Sequence, residues 1–136
     1  MNIKSSISRP RSLPGLENNR PGFVEPMLAT RVGTLPEGAE WEYEVKWDGY
    51  RIEAVKDGAT VRLFSRRGAD FSERFKAVTK AVGVIRAATA VLDGEVVAID
   101  QKGQPSFQML QNRRKMPAGY QLVFYVFDLL FLNGNP

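Results

Sequence analysis

A single stretch carries the strongest fold signal in this chain: Tyr43-Glu44-Val45-Lys46-Trp47-Asp48-Gly49-Tyr50-Arg51. If it forms a β-strand, alternate side chains point to opposite sides, which places Glu44, Lys46 and Asp48 on one face and apolar residues on the other. Charged side chains are uncommon in strands unless they face solvent or a polar pocket. The alternation therefore predicts either a solvated face with weak surface ion pairs or one wall of a polar site.

Gly49 ends the regular alternation, and Arg51 follows it. Because glycine lacks a Cβ, the backbone at Gly49 can bend sharply or lie close to a ligand. The guanidinium of Arg51 is a planar group that matches phosphate geometry. The string from Lys46 to Arg51 resembles motif I, K-x-D-G-x-R, of the covalent nucleotidyltransferases, which comprise ATP-dependent DNA ligases, RNA ligases and mRNA capping enzymes. The resemblance implies that Lys46 is the nucleophile, which takes up a nucleotide as a phosphoramidate.

Composition limits the remaining chemistry. The chain has 136 residues, of which 43% are hydrophobic and 25% charged, as expected for one globular domain or part of one. It contains neither cysteine nor histidine, which excludes a thiolate nucleophile, an imidazole base and a zinc site of the usual ligand type. A bound metal would therefore be a hard, oxygen-bound cation, with Mg²⁺ the first candidate.

The N-terminal segment differs in composition from the rest. Residues 1–22 are basic and rich in Pro, Gly, Ser and Asn, which predicts a disordered tail or linker. The ordered part is expected to begin at Phe23, and Pro26-Met27-Leu28-Ala29 resembles the opening of the ligase domain in bacterial end-joining ligases. No apolar run is long enough to span a bilayer and no signal peptide is evident, so we expect a cytoplasmic protein. The resemblance to bacterial end-joining ligases implies that it works at the nucleoid of a bacterium.

A hairpin, a basic motif and a helix are predicted after motif I. The Asp57-Gly58 pair predicts a tight turn between two strands. Ser65-Arg66 then forms either a plain basic loop or, by resemblance, ligase motif Ia, which implies that Arg66 contacts the nucleotide or DNA phosphates. Apolar residues at helical spacing after a capping Asp70 predict a helix from Asp70 to about Arg86 that packs on the sheet.

A carboxylate pair interrupts an apolar run at Leu92-Asp93-Gly94-Glu95. Asp93 and Glu95 are two residues apart, so on a strand they share a face and repel each other unless a positive group lies near. The pattern alone also allows a β-bulge or a hairpin with both acids in water. The four residues resemble ligase motif III, which implies that Glu95 contacts the ribose and the metal and that Asp93 supports the pocket.

The C-terminal part predicts a short helix from Pro105 to about Lys115 and a last strand from Leu122 to Phe131, closed by a turn at Asn133-Gly134. An aromatic residue in such a strand belongs by default to the core. The string Phe127-Asp128-Leu129-Leu130, however, resembles ligase motif IIIa, which implies that Phe127 stacks on the adenine ring.

In this order, the four motifs make residues 23–136 similar to the N-terminal portion of the adenylation domain of ATP-dependent DNA ligases, of the bacterial non-homologous end-joining type. The resemblance implies an α+β fold of antiparallel sheets with packed helices, the covalent nucleotidyltransferase fold, which is ATP-grasp-like. It also implies ATP and Mg²⁺ as cofactors and DNA with nicks or ends as the substrate. Further ligase domains or end-joining proteins are the implied partners in DNA repair and recombination.

The motif residues also acquire implied roles in nucleotide binding. Glu44 accepts hydrogen bonds from the adenine amino group, whereas guanine offers an acceptor there, so ATP is favoured over GTP. Arg51 holds the ribose or the phosphates. Asp48, Gly49 and Asp93 support the pocket.

The sequence ends at Pro136, before any match to the family's motifs IV, V and VI or to its OB-fold domain. We therefore expect an incomplete adenylation domain, and the motifs leave open whether this chain reacts by itself. Two alternatives remain at this stage. One is a catalytically silent fragment that binds a nucleotide or DNA, and the other is a nucleotidyltransferase of the RNA ligase or capping type.

Overall fold

The computed structural model describes residues 2–5, 20–112 and 116–135. Two antiparallel sheets form the fold. The smaller one pairs β1 (Asn2–Ser5) with β2 (Trp41–Glu44). The larger one contains β3 (Tyr50–Asp57), β4 (Thr60–Ser65), β5 (Thr89–Ile99) and β6 (Gln121–Leu132) in the spatial order β4-β3-β5-β6. The helices of the described ranges are α1 (Lys76–Gly83) and α2 (Phe107–Gln111).

The two faces of the larger sheet differ in polarity. One face carries the main hydrophobic core, in which Ile52 of β3 packs with Val78 of α1 and Leu110 of α2. The opposite face carries a smaller apolar cluster at one end, which contains Val55 and Phe131, and charged residues beside it. Strand β5 lies between β3 and β6 and is buried along nearly its whole length, as a central strand covered on both faces should be. The charged part of the second face is therefore where a site can form.

The prediction of one continuous strand from Tyr43 to Asp48 is wrong after Glu44. Strand β2 ends at Glu44, residues 45–47 have no regular secondary structure, and the chain bends at Asp48 and Gly49 before β3 begins. Glu44, Lys46 and Asp48 therefore do not share one strand face. The side chain of Val45 is 69% exposed, so the expected apolar face is not formed either.

Helix α1 is shorter than the predicted helix from Asp70 to Arg86. The segment after β4 is first bound to that strand, because the Phe71 N–H donates to the Leu63 carbonyl at 2.7 Å. The Asp70 carboxylate accepts a hydrogen bond from the Ser72 N–H at 2.8 Å. This bond stabilises a local turn, so Asp70 does not cap the N-terminus of helix α1, which begins at Lys76. These local bonds delay the start of the helix, while its apolar stripe packs on the sheet as expected.

The β3–β4 hairpin and the turn at Asn133 and Gly134 are confirmed. Asn2–Ser5 forms β1, although composition predicts a tail there, and residues 6–19 lie outside the described ranges. Helix α2 ends at Gln111, and the basic residues 113–115 also lie outside those ranges. Within the described ranges, no helix is long and apolar enough to cross a membrane.

Candidate functional site

The register of β3 against β5 brings charged residues of motifs I and III together. Arg51 lies opposite Glu95, and Glu53 lies opposite Asp93. Opposite residues of an antiparallel pair share a face, and so do residues two apart on one strand. All four side chains therefore project from the second face of the sheet, in its charged part. The sequence-predicted residues Arg51, Asp93 and Glu95 are thus brought into one site.

Arg51 and Asp93 form a two-pronged ion pair. The Nε of Arg51 donates to Oδ1 of Asp93 at 3.0 Å, and Nη2 donates to Oδ2 at 2.6 Å. The side chains are 19% and 4% exposed, respectively. Burial by itself lowers the pKa of Arg51, but the hydrogen bond and the charge of Asp93 hold the pKa above its ordinary value. The paired geometry fixes the plane of the guanidinium.

Arg51 also links this pair to two other parts of the chain. Its Nη1 donates to the carbonyl of Met27 at 3.1 Å, so it reaches the segment that resembles a ligase-domain opening. Its guanidinium carbon lies 5.2 Å from the centroid of the Phe127 ring on β6, which is within cation–π range. The predicted adenine-stacking residue is therefore next to the predicted phosphate-binding residue.

Glu95 is the second carboxylate of the site and is half-buried. Burial raises its pKa to about 7, against the opposing effects of the Arg51 charge and of a hydrogen bond from the Gly49 N–H. The negative charges of Asp93 and Asp48 act in the same direction as burial. Glu95 therefore lies among acidic neighbours, and a cation bound near it would stabilise its ionised form.

Both Asp-Gly steps of the motifs require glycine because another strand lies too close for a side chain. A Cβ on Gly49 would overlap the carbonyl oxygen of Val96 on β5. One on Gly94 would overlap the carbonyl oxygen of Tyr125 and lie 2.6 Å from a ring carbon of Phe124. These close approaches hold the bend after Lys46 against β5 and hold β5 against β6.

Lys46 directly precedes Trp47, whose ring makes an aromatic contact with the larger sheet. Its side chain is exposed, in the irregular segment between β2 and β3. The ring of Trp47 stacks on the ring of Tyr125, with centroids 3.9 Å apart and planes at 4°. Tyr125 lies on β6 opposite Glu95, so the stacked rings are adjacent to the site that contains Glu95. Asp48 is exposed, and the side chain of Glu44 lies outside the described part of the structure.

Arg66 is the predicted site residue that the structure does not bring into this group. It lies exposed in the turn after β4. Strand β4 is an edge strand, separated from β5 by β3. Its predicted contact with nucleotide or DNA phosphates stays a prediction.

Sequence reasoning missed Glu53, which is 1% exposed. Its Oε1 accepts a hydrogen bond from the Val24 N–H at 2.7 Å, while Oε2 is buried with no partner among the described residues. Burial raises the pKa of Glu53 to about 8, opposed by the Val24 hydrogen bond. The signal was its position two residues after Arg51, which puts it on the same strand face.

The carboxylates of this face suit a metal that is bound mainly by other ligands. Asp93 is paired with Arg51 and Glu53 is almost fully buried, so Glu95 is the accessible one of these three carboxylates. In the described part of the chain, no three His, Cys, Asp or Glu residues are grouped so as to hold a metal ion. Mg²⁺ commonly takes one or two protein carboxylates and completes its shell with substrate phosphates and water. The residues therefore fit Mg²⁺ that arrives with a nucleotide.

The antiparallel α+β architecture and the clustered motif residues define a nucleotidyltransferase fold. The chain belongs to the family of ATP-dependent DNA ligase domains, since the family model described as "ATP dependent DNA ligase domain" matches residues 26–136.

Individual relatives agree with the family assignment. The chain is 37% identical over 125 residues to the multifunctional non-homologous end joining protein LigD of Pseudomonas aeruginosa, which covers 92% of this chain and 15% of that protein. It is 40% identical over 114 residues to LigD of Mycobacterium tuberculosis H37Rv, covering 82% and 14%. A DNA ligase of Thermococcus onnurineus is 31% identical, covering 83% and 23%. The chain thus spans less than a quarter of each of these relatives.

Solved structures show the same fold. The ligase domain of M. tuberculosis LigD matches with a TM-score of 0.57 and 39% identity, over 68% of this chain and 30% of that one. A mycobacterial DNA ligase D complexed with ATP and MES matches with a TM-score of 0.57 and 38% identity, over the same shares. The predicted fold class and family are therefore confirmed.

Proposed function

We propose that this chain forms the lysine-adenylating part of an ATP-dependent DNA ligase, with Lys46 as the nucleophile. One observation carries the proposal: the Arg51–Asp93 pair, Glu95 and Phe127 converge on one face of the sheet, next to the segment that bears Lys46. The family assignment and the ATP complex of a related ligase support ATP as the nucleotide.

The proposed reaction transfers AMP from ATP to the amine of Lys46. The amine nitrogen forms a bond to the α-phosphorus, the bond from that phosphorus to the bridging oxygen breaks, and pyrophosphate leaves with the electron pair. The amine loses its proton to solvent or to the leaving group. Little covalent chemistry is required of other residues, so catalysis rests on positioning and on charge.

Arg51 and Phe127 are the residues best placed to bind the nucleotide. The guanidinium of Arg51 is held in one plane by Asp93, so it can donate to the ribose or a phosphate without first being ordered. The ring of Phe127 offers a surface for the adenine, and base–aromatic stacking contributes about 1–3 kcal/mol. Asp93 acts through Arg51 and does not itself contact the nucleotide.

Glu95 is proposed to bind the ribose and, together with the nucleotide phosphates, Mg²⁺. Such an ion would neutralise part of the triphosphate charge. The acidic neighbours that disfavour ionised Glu95 would be offset by a nearby cation. The exposed Asp48 lies close enough to Glu95 that its charge raises the pKa of Glu95. This proximity is the reason to propose that Asp48 supports the pocket.

The later steps are proposed from the relatives, which are named as ligases and end-joining proteins. The AMP group would pass from Lys46 to a 5′-phosphate at a nick or end of DNA, and the 3′-hydroxyl would then displace AMP. These steps use DNA as the substrate, and further ligase domains or end-joining proteins as partners. The cytoplasm of a bacterium, at the nucleoid, is the proposed place of this work.

The adenylation proposal is tested by incubating the full chain with ATP and Mg²⁺ and then measuring its intact mass by mass spectrometry under denaturing conditions. We expect wild type to gain the mass of one AMP and Lys46→Ala to gain none. Lys46→Arg is the matched control, because it keeps a positive charge but is a poor nucleophile. An unmodified wild-type chain that is folded would contradict the proposal and leave the family assignment standing.

Nucleotide selection is tested at Glu44, whose proposed role is to accept from the adenine amino group. Replacing it by Gln adds a donor where the carboxylate only accepts, so we expect Glu44→Gln to bind ATP more weakly and to discriminate less against GTP. Glu42→Gln on the same strand is the control, since Glu42 is exposed and carries no predicted role. Equal ATP affinity of Glu44→Gln and wild type would contradict the assignment.

A further inference from the structure

The segment that carries Lys46 has little support from the sheets. Strand β2 ends at Glu44 and β3 begins at Tyr50, so residues 45–47 are not paired in either sheet. Val45 and Lys46 are both exposed. The position of the Lys46 amine therefore depends on contacts made by neighbouring residues.

Trp47, the residue after Lys46, contacts the larger sheet. The Trp47 ring lies parallel to the Tyr125 ring, at a centroid separation of 3.9 Å. Tyr125 is opposite Glu95 on β5, which is itself opposite Arg51 on β3. The stack therefore joins the Lys46 segment to the row of strand positions that forms the nucleotide site.

The other attachment of the segment lies further along the chain. The Gly49 N–H donates to the Glu95 carboxylate, and the Gly49 backbone lies against the Val96 carbonyl. These contacts set the bend that enters β3, three residues after Lys46. Two points of attachment, one on β5 and one on β6, are enough to limit rotation of the short segment between them.

We propose that Trp47 and Tyr125 are positioning residues, whose stacked rings hold the Lys46 amine in line with the α-phosphate of the bound nucleotide. The proposal rests on the proposed function of Lys46. Neither ring is required to contact the nucleotide. Their effect is on the geometry of attack, and not on nucleotide affinity, so it falls on the rate of the chemical step.

The test uses the full chain and compares Trp47→Leu and Tyr125→Leu with Trp47→Phe and Tyr125→Phe. The leucine variants lose the stack but keep an apolar side chain, and the phenylalanine variants keep a ring at each position. Misplacement of a reacting group by about 1 Å can reduce a rate about 100-fold. We expect the leucine variants to adenylate Lys46 about 10- to 100-fold more slowly at saturating ATP, with the KM for ATP changed by less than about twofold. The phenylalanine variants should retain most of the rate.

The double variant Trp47→Leu/Tyr125→Leu separates a shared contact from two independent effects. If the two rings act through one another, the double variant should be no slower than the slower single variant, because the stack is already lost. Multiplied effects would overturn the proposal. A raised KM with an unchanged maximal rate would also overturn it, since the rings would then belong to nucleotide binding. Unchanged kinetics would do the same.

A second measurement needs no nucleotide and so distinguishes failure of this inference from failure of the proposed function. Amide hydrogen exchange at Gly49, whose N–H donates to Glu95, should be faster in both leucine variants than in Tyr125→Phe, while exchange in β3 and β5 is unchanged. If wild type is not adenylated but exchange is faster in the leucine variants, the proposed function is contradicted and the positioning contact stands. Unchanged exchange at Gly49 would contradict the positioning contact whether or not Lys46 reacts.

Discussion

The larger sheet and the segment of residues 45–49 contribute to one candidate site but hold their side chains by different means. On the sheet, strand register, burial and two hydrogen bonds fix Arg51 and Asp93. In the segment, Lys46 is exposed and its backbone is unpaired in the sheets. The residues proposed to bind the nucleotide are thus held by the folded sheet, whereas the proposed nucleophile lies outside it. Substitutions should reveal this difference by separating stability from chemistry.

The largest expected effect is on the sheet side, at Asp93. Replacing it by Ala leaves the largely buried Arg51 without its anionic partner, and breaking such a pair costs about 3–5 kcal/mol. We expect urea unfolding to report a loss at the lower end of that range, because Arg51 retains some exposure. The control is Lys76→Ala, which removes the exposed pair with Glu73 and should change stability by less than about 1 kcal/mol. Similar losses in both variants would contradict the comparison.

An intermediate effect is expected at Gly49, where the segment meets the sheet. Replacing it by Ala places a methyl group onto the Val96 carbonyl, and overpacking of this kind costs about 1–3 kcal/mol. Adenylation should also slow, because the bend after Lys46 must shift. Gly33→Ala is the control, since a Cβ there meets nothing within 4 Å. A Gly49→Ala chain as stable and as active as Gly33→Ala would show that the segment is not held against β5.

A pH-dependent effect is expected at Glu53, because burial raises its pKa to about 8 from the ordinary range near 4.5. Between these values the folded state binds more protons than the unfolded state, so stability falls as pH rises, by at most about 1.4 kcal/mol per pH unit for one group. Glu53→Gln cannot ionise and should lose stability less steeply from pH 5 to pH 8. Some slope should remain, since the raised pKa of Glu95 acts in the same direction.

Thermal or urea unfolding at several pH values provides the measurement. Glu73→Gln, at an exposed position, is the control and should keep the wild-type slope. Identical slopes in Glu53→Gln and wild type would mean that Glu53 is ionised in the folded protein. Its buried Oε2 would then need a partner beyond the described residues.

The smallest effect on stability is expected at Lys46 itself. Because its side chain is exposed, Lys46→Ala should change the free energy of unfolding by no more than about 0.5 kcal/mol. The same variant should lose adenylation altogether if Lys46 is the nucleophile. Urea unfolding and intact mass on one preparation test both halves. A clearly destabilised Lys46→Ala would show that the segment is tied into the core.

Much of the site could be predicted because its residues are encoded by local patterns. The Lys46-to-Arg51 string and the Asp93-Gly94-Glu95 string each carry their chemistry within a few positions, and both glycines proved necessary for close backbone approach. The apolar runs likewise predicted the strands that carry them. The error over the strand through motif I arose because alternation alone does not reveal where a sheet partner ends.

What the sequence determined by itself was the class of the protein, the order of its motifs and the set of candidate site residues, because these depend on residue type and short spacing. Only the tertiary structure decided which of them meet. Register across β3, β5 and β6 paired Arg51 with Asp93, buried Glu53 and brought Tyr125 under Trp47. Arg51 and Asp93, and likewise Trp47 and Tyr125, are more than 40 positions apart in the chain, and Glu53 is hydrogen-bonded to Val24, 29 positions before it. No local pattern encodes contacts over such separations.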